Sequence, residues 1–355
     1  MNGTWVSKAA MAASRVAVVS TGGTIASTRS SDADGLKVGL PISELLAAIG
    51  DVAGVQLGPV VDLARINSWN VDPSLMWRVA SCVSRLVAEA DVDGVVVTHG
   101  TDTIEETAFL VDVITRTNKP VVFTAAMRSA DALSPDGPHN LTAALRAAGS
   151  QVLRGLGVTV CLDSDLHAAR WVRKSHTHRT DAFRSAPGPV ATVDPDGCVR
   201  RTCGPLARWT VSGMEMVERV EADDVPVIQA YTGMSDAALM AVVNATTPRG
   251  IVIEGFGLGH VPATLADSIR DLVASGVVVV VTTRVPVGGA WPIYGGRGGG
   301  TDLAAAGVIS AGGLSAAKAR LLLLACLADQ GTMTPAHTFQ EAVAVLGRGS
   351  QGETP

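Results

Sequence analysis

Hydroxyl groups recur where the apolar runs of this chain stop. Val16-Ala-Val-Val-Ser20 gives way to Thr21-Gly22-Gly23-Thr24-Ile25-Ala26, and Val95-Val-Val-Thr98 to His99-Gly100-Thr101-Asp102-Thr103. A threonine hydroxyl is a poor nucleophile until a base removes its proton or an oxyanion site stabilises its product. Asp102 adjoins Thr101. Lys174 closes the run His167-Ala-Ala-Arg170-Trp-Val-Arg-Lys174, with Arg170 and Arg173 close in sequence. A lysine is a base only when uncharged, which requires burial or a nearby cation. An adjacent Asp102 would favour the charged form. Two roles for Lys174 stand open: direct proton abstraction, and polarisation through a water.

Such residues need strand ends to hold them. The valine runs read as buried strands over 15–20 and from 95, each followed by a glycine turn and a helical pattern. Two strand ends offering a threonine each imply one crevice at the carboxyl edge of a parallel sheet. Residues 27–41 are polar and aperiodic, the place of a mobile lid. A short helix is expected over 42–49 and a strand over 60–66. Asp72-Pro73 opens a helix with an N-cap and a first-position proline. A helix to about Thr115, strands over 120–125 and 157–162, an irregular stretch over 127–138 and a helix from about Asn140 follow. Residues 163–205 break the rhythm. Strands are expected again over 225–231, 250–254 and 277–282, and the apolar helix 315–329 closes the smaller domain, buried in it or against another subunit.

The alternation predicts an α/β protein: a larger N-terminal doubly wound, mostly parallel sheet domain (15–206), a linker (207–224) and a smaller C-terminal α/β domain (225–345).

At 355 residues, with 47% apolar and 17% charged residues, the chain has material for two cores and is not a disordered segment. A net charge of −5 without basic runs argues against nucleic acid as partner. No apolar run is long enough to span a bilayer, and residues 1–14 read as a frayed extension without a signal-peptide core. Cys82, Cys161, Cys198, Cys203 and Cys326 are odd in number and form no Cys-x-x-Cys pair, so they read as free thiols in a reducing, cytoplasmic compartment. Gly255-x-Gly257-x-Gly259 lacks the final spacing of a dinucleotide loop. His167, His176 and His178 read as solvated loop histidines rather than metal ligands. No Gly-x-Ser-x-Gly elbow is present.

Taken together, Thr21-Gly22-Gly23-Thr24-Ile25-Ala26, His99-Gly100-Thr101-Asp102-Thr103 with Glu105-Glu106-Thr107, Ala126-Met127-Arg128 and Asp136-Gly137-Pro138-x-Asn140-Leu141 resemble the bacterial L-asparaginase family. So do Leu166-His-Ala-Ala-Arg170-x-Val-x-Lys174 with Ala182-Phe183, Gly255-Phe-Gly257-Leu-Gly259-His260-Val-Pro262 and Lys318-Ala-Arg320. The resemblance implies hydrolysis of a side-chain amide, that of L-asparagine, to acid and ammonia, with no metal or cofactor. It makes Thr24 the nucleophile and Thr101, Asp102 and Lys174 a second constellation. Ser68 and Asp102 would hold the α-carboxylate and α-amino groups; the Gly100 and Thr101 backbone and the Ala126 carbonyl would line the amide end. It also implies a homotetramer of close dimers, in which His260 and the 290–300 loop enter a neighbour's site.

Four departures bear on the substrate. The loop after Thr24 has no tyrosine; the chain's only two are Tyr231 and Tyr294. Trp69 follows Ser68 where the family carries glutamine. His260 stands where the family's asparagine lies, and no carboxylate occurs between Arg284 and Thr301. Weaker or altered recognition of the α-amino group is the expectation. The alternatives are glutamine, an amide lacking the α-amino group, and a non-catalytic amino-acid sensor; an intact Thr24, Thr101, Asp102 and Lys174 set argues against the last.

Overall fold

The structure, a computed structural model, describes residues 13–29, 35–211, 224–329 and 331–348. Most of the expected terminal extension, the tip of the loop after Thr24 and most of the expected linker fall outside them.

The first half alternates strands and helices: β1 (Ser14–Gly22), β2 (Ser27–Arg29), β3 (Leu36–Val38), α1 (Ile42–Ile49), β4 (Val55–Ile66), α2 (Pro73–Ala88), β5 (Gly94–Thr98), α3 (Ile104–Ile114), β6 (Val121–Thr124), α4 (Gly137–Ala148) and β7 (Val158–Leu162). Short strands follow: β8 (Asp165–Ala168), β9 (Arg173–Lys174), β10 (Phe183–Arg184), β11 (Ala191–Val193) and β12 (Val199–Arg201). The larger sheet has eight strands in the order β12-β11-β8-β7-β6-β5-β1-β4. The run from β7 to β4 is parallel, and β8, β11 and β12 extend it antiparallel.

Both faces of the parallel run are covered. Successive strand residues point to opposite faces. Val16, Val18, Val96 and Val122 pack with α1 and α4, whereas Ala17, Val19, Val95, Val97 and Phe123 pack with α2 and α3. That explains the continuous valine runs, as expected of a sheet buried on two sides. The N-cap of α2 forms as its sequence implies, with Asp72 Oδ1 accepting from Leu75 N at 2.8 Å.

The smaller domain holds β13 (Val227–Gln229), α5 (Asp236–Thr246), β14 (Gly250–Gly255), α6 (Ala266–Ala274), β15 (Val278–Thr283), α7 (Gly300–Ala305), β16 (Ile309–Ser310), α8 (Ala316–Ala328) and α9 (Pro335–Leu346). Its strands form a four-stranded parallel sheet, β13-β14-β15-β16. Leu321 to Leu324 of α8 are buried, and α8 shares one apolar cluster with α2 and α3 of the larger domain. The two domains thus dock through a common core. No helix among the described residues is long and apolar enough to cross a membrane.

Several details differ from the sequence expectations. β4 begins at Val55, because the edge strand is only half-buried and carries no clean apolar period. α4 begins at Gly137, three residues early, because Pro138 suits a first turn. The segment 27–41 is no featureless loop at its base: β2 and β3 pair antiparallel, Ser27 opposite Val38. The irregular 163–205 stretch contains sheet strands. His167 lies in β8, 2% exposed, with Nδ1 3.0 Å from Ser185 Oγ, and is not a solvated loop residue. α9, not α8, is the last helix described.

Candidate active site

The register aligns the strand ends. Ser20 lies opposite Thr98, Thr98 opposite Thr124, and Thr124 opposite Cys161. The residues just beyond, Thr21, His99 and Ala125, therefore emerge at one edge of the sheet. β1 and β5 are neighbours although β4 lies on the far side of β1, so the strand order reverses between them. A crevice opens at such a point.

Two glycines close the space between these ends. Gly22 and Gly23 have φ of 101° and 84°, a region costly for other residues. Gly23 N donates to Ile66 O, and Thr21 Oγ1 to Thr98 O at 3.0 Å. A Cβ on Gly23 would sit 2.4 Å from Gly100 Cα. The turns carrying Thr24 and Thr101 are pressed together, with each threonine directly after one of these glycines. Thr24 opens a short 3-10 turn, half-buried, and Thr101 is buried.

Lys174 reaches this place from β9. Its Nζ lies 2.8 Å from Thr101 Oγ1 and 2.6 Å from Asp102 Oδ1. Glu105, in the first turn of α3, accepts the Lys174 N–H at 2.5 Å. Ser68 Oγ accepts the Asp102 N–H at 3.1 Å, and Ser68 O accepts from Thr103 Oγ1. The chain thus brings Thr101, Asp102, Lys174, Ser68 and Gly100 into one constellation. Trp69 stands beside it at the rim, 66% exposed.

Ala126 is buried on the same edge. Gly137 bridges it to the Thr24 turn, since a Cβ there would lie 3.0 Å from Ile25 Cγ1 and 3.5 Å from Ala126 Cβ. Asp136 accepts from Met127 N and Arg128 N, both at 2.9 Å. Asn140 donates to Ala125 O at 3.0 Å and accepts from Asp163 N. These two side chains clasp the loop that bears Ala126.

His99 is fully buried, and burial pushes its pKa down to about 4. Its ring is neutral at ordinary pH: Nδ1 donates to Gly100 O at 2.9 Å and Nε2 accepts from Thr107 Oγ1 at 3.0 Å. It braces the Gly100 turn from beneath. The roles of Glu105, His99, Asp136 and Asn140 were not assigned from sequence, although all four lie in the motifs quoted above. A side chain serving a distant backbone group leaves no periodic signal.

His260 is not joined to this constellation by any contact among the described residues. It sits in the smaller domain, its ring perpendicular to that of Tyr294 at 5.2 Å and its buried Nε2 without a hydrogen-bond partner among the described residues. Among the described residues no group of three or more His, Cys, Asp or Glu side chains is placed to hold a metal.

Known proteins carry the same pattern. A family model described as asparaginase, N-terminal, matches residues 15–201, and one for the glutaminase/asparaginase C-terminal domain matches 224–338. A probable L-asparaginase of Deinococcus radiodurans is 37% identical over 316 residues, spanning 88% of this chain and 92% of that protein. The glutaminase-asparaginase of Pseudomonas aeruginosa is 32% identical over 283 residues, spanning 78% of this chain and 77% of that protein. A crystal structure of a probable cytoplasmic L-asparaginase from Campylobacter jejuni matches with a TM-score of 0.80 at 30% identity, covering 94% of this chain and 99% of that chain. With both halves matched in order and a strand-end crevice of threonines and a lysine in the first, the chain belongs to the asparaginase family and is an amidohydrolase of the asparaginase type.

Proposed function

We propose that the protein hydrolyses the side-chain amide of L-asparagine to L-aspartate and ammonia, with Thr24 as nucleophile. The observation that carries this reading is the Lys174 amine at 2.8 Å from the Thr101 hydroxyl, on a turn pressed against the one bearing Thr24. Thr24 Oγ attacks the amide carbon, its proton passes to the leaving nitrogen, and the C–N bond breaks to release ammonia. Water then attacks the acyl-threonine ester, giving the acid and restoring the hydroxyl. Thr101, polarised by Lys174, is the group that activates the attacking oxygen, and Asp102 orients the amine.

The same geometry supports the substrate contacts that the resemblance implies. Ser68 Oγ accepts from Asp102 N–H, which leaves its own hydrogen for an α-carboxylate. Asp102 uses Oδ1 for Lys174 and offers its other oxygen to an α-ammonium. The Gly100 and Thr101 backbone and the Ala126 carbonyl line the amide end, and Trp69 forms the rim.

We assign His260 to a neighbouring subunit's site in a homotetramer. It lies in an open groove of about 630 Å³ with Tyr294 and Arg297, and Trp291, Ile293 and Tyr294 expose large apolar surfaces on the adjoining loop. A cytoplasmic location agrees with five free cysteines and with the naming of the Campylobacter structure.

Ammonia release from the purified protein across a panel of amides tests the reading, with Thr24→Ala and Thr101→Ala as controls. Each variant is expected to keep its fold and lose at least about a thousandfold in kcat, as loss of a nucleophile or its activator does. A near-normal rate in either removes that residue from the mechanism.

A further inference from the structure

Lys318 lies in the first turn of α8, in the smaller domain, and is 1% exposed. A helix N-terminus and a dry interior both disfavour an ammonium, so the residue needs compensation there. Burial lowers its pKa to about 8, with Glu105 the leading opposing influence, Arg173 adding to the lowering and Glu106 opposing it. Its Nζ donates across the domain boundary to the Val172 carbonyl. Glu105 is the same residue that accepts the Lys174 N–H.

The strand bearing Lys174 is therefore gripped at two consecutive peptides. Lys318 holds the carbonyl of the peptide joining Val172 to Arg173, and Glu105 holds the N–H of the peptide joining Arg173 to Lys174. Its remaining ladder support is the two-residue pairing with β10, continued by Ser175 N to Ala182 O. Without Lys318 the Val172 carbonyl loses its partner from the smaller domain, and Glu105 with the short β10 pairing is left to hold this backbone.

We propose that Lys318 is a positioning residue: from the smaller domain it fixes the backbone of Lys174 and so the reach of that amine to Thr101. The inference rests on the reading of Lys174 as the group that acts on Thr101. It makes the chemical step depend on how the two domains dock, although Lys318 touches no reacting atom.

A double-mutant cycle with Lys318→Met and Lys174→Met tests it. Methionine keeps the aliphatic stem and loses the donor. Lys318→Met is expected to lower kcat by about 10- to 100-fold, the scale of a misplacement near 1 Å, with KM changing less than about threefold. In the Lys174→Met background the same change should cost less than about twofold, because there is no amine left to misplace. An equal loss in both backgrounds, or a rate within about threefold of the parent, overturns the proposal. Full activity in Lys174→Met alone instead strikes the underlying reading, so the two failures are distinct. Should Lys318→Met fail to fold, Lys318→Gln, whose amide stops short of the Val172 carbonyl, is read in the same cycle against the same outcomes.

Discussion

Gly23 and Gly100 meet backbone to backbone, so close that a methyl on Gly23 would lie 2.4 Å from Gly100 Cα. The contact joins the turn after β1 to the turn after β5 and sets the spacing of Thr24 and Thr101. Gly100 is hemmed in from its other side as well, since a methyl there would lie 2.5 Å from Ser68 Oγ. Gly23→Ala and Gly100→Ala must each push these turns apart. Overpacking costs about 1–3 kcal/mol of stability, and a shift of about 1 Å between reacting groups costs about 100-fold in rate. Both variants are expected to fold and to lose at least that factor in kcat/KM. Urea unfolding and ammonia release measure the two effects; rates close to the parent's would mean that the turns can separate without harm to the chemistry.

The clasp over Ala126 calls for a different outcome. Asp136 takes two backbone N–H groups, and Asn140, 1% exposed, bridges Ala125 O and Asp163 N. Removing a side chain leaves these groups without partners, at about 1–3 kcal/mol for each buried one. Asn140→Ala should therefore destabilise the fold by roughly 2–4 kcal/mol. Asp136→Ala frees the loop beyond Ala126 and is expected to raise KM more than it lowers kcat. Denaturation curves and steady-state kinetics on the two variants check both. An Asp136→Ala enzyme with unchanged KM would dissociate this loop from substrate binding.

Two buried histidines make the fold sensitive to acid. His99 and His167 both have pKa values pushed down to about 4, in each case chiefly by burial, with Arg184 contributing at His167. In the unfolded chain each regains a value near 6.5. Between pH 6.5 and 4 the unfolded state binds more protons than the folded one, so stability falls as pH falls through that window. A displacement of this size is worth roughly 3 kcal/mol per histidine. Unfolding free energy measured from pH 7 to 4 should drop with a slope that includes about two protons, and His99→Gln should remove about one of them. An unchanged slope in that variant would mean that His99 is already charged in the folded protein.

Much of the site was legible because parallel strands write it into the chain. Val95 to Thr98 is apolar on both faces, and its end is marked by Gly100 and Thr101; the same holds for Val16 to Ser20 with Gly23 and Thr24. The meeting of Lys174 with Thr101 spans 73 residues: the residue types suggest the pair, but no spacing dictates it, and the family resemblance makes it specific. What escaped had no pattern to leave. β9 and β10 are two residues each, too short for a period, and β8, β11 and β12 are little longer. His167 reads as polar, yet alternation in β8 turns it inward to Ser185. Glu105 reads as a first-turn helix acid, which it is, while its carboxylate also serves the Lys174 backbone.

Substrate choice follows from what surrounds Ser68 and Asp102. The residue after Ser68 is Trp69, largely exposed and without a hydrogen-bond acceptor to offer an ammonium. In the proposed tetramer a neighbour's smaller domain would bring its copies of His260 and Tyr294, whose rings pack edge to face, and the stretch between Arg284 and Thr301 contains no carboxylate. Asp102 is then the only acid proposed for the α-amino group, and it is already shared with Lys174. A hydrogen bond to a charged group contributes about 1.5–3 kcal/mol, or roughly 10- to 150-fold in affinity. With Asp102 the one such contact proposed, kcat/KM for L-asparagine should exceed that for a matched amide lacking the α-amino group by no more than about a hundredfold. Trp69→Gln, which adds a side-chain carbonyl at the rim, should widen the ratio. A preference for free L-asparagine above about a hundredfold in the unaltered protein would mean that Asp102 suffices alone, and that the replacements at 69 and 260 do not govern recognition.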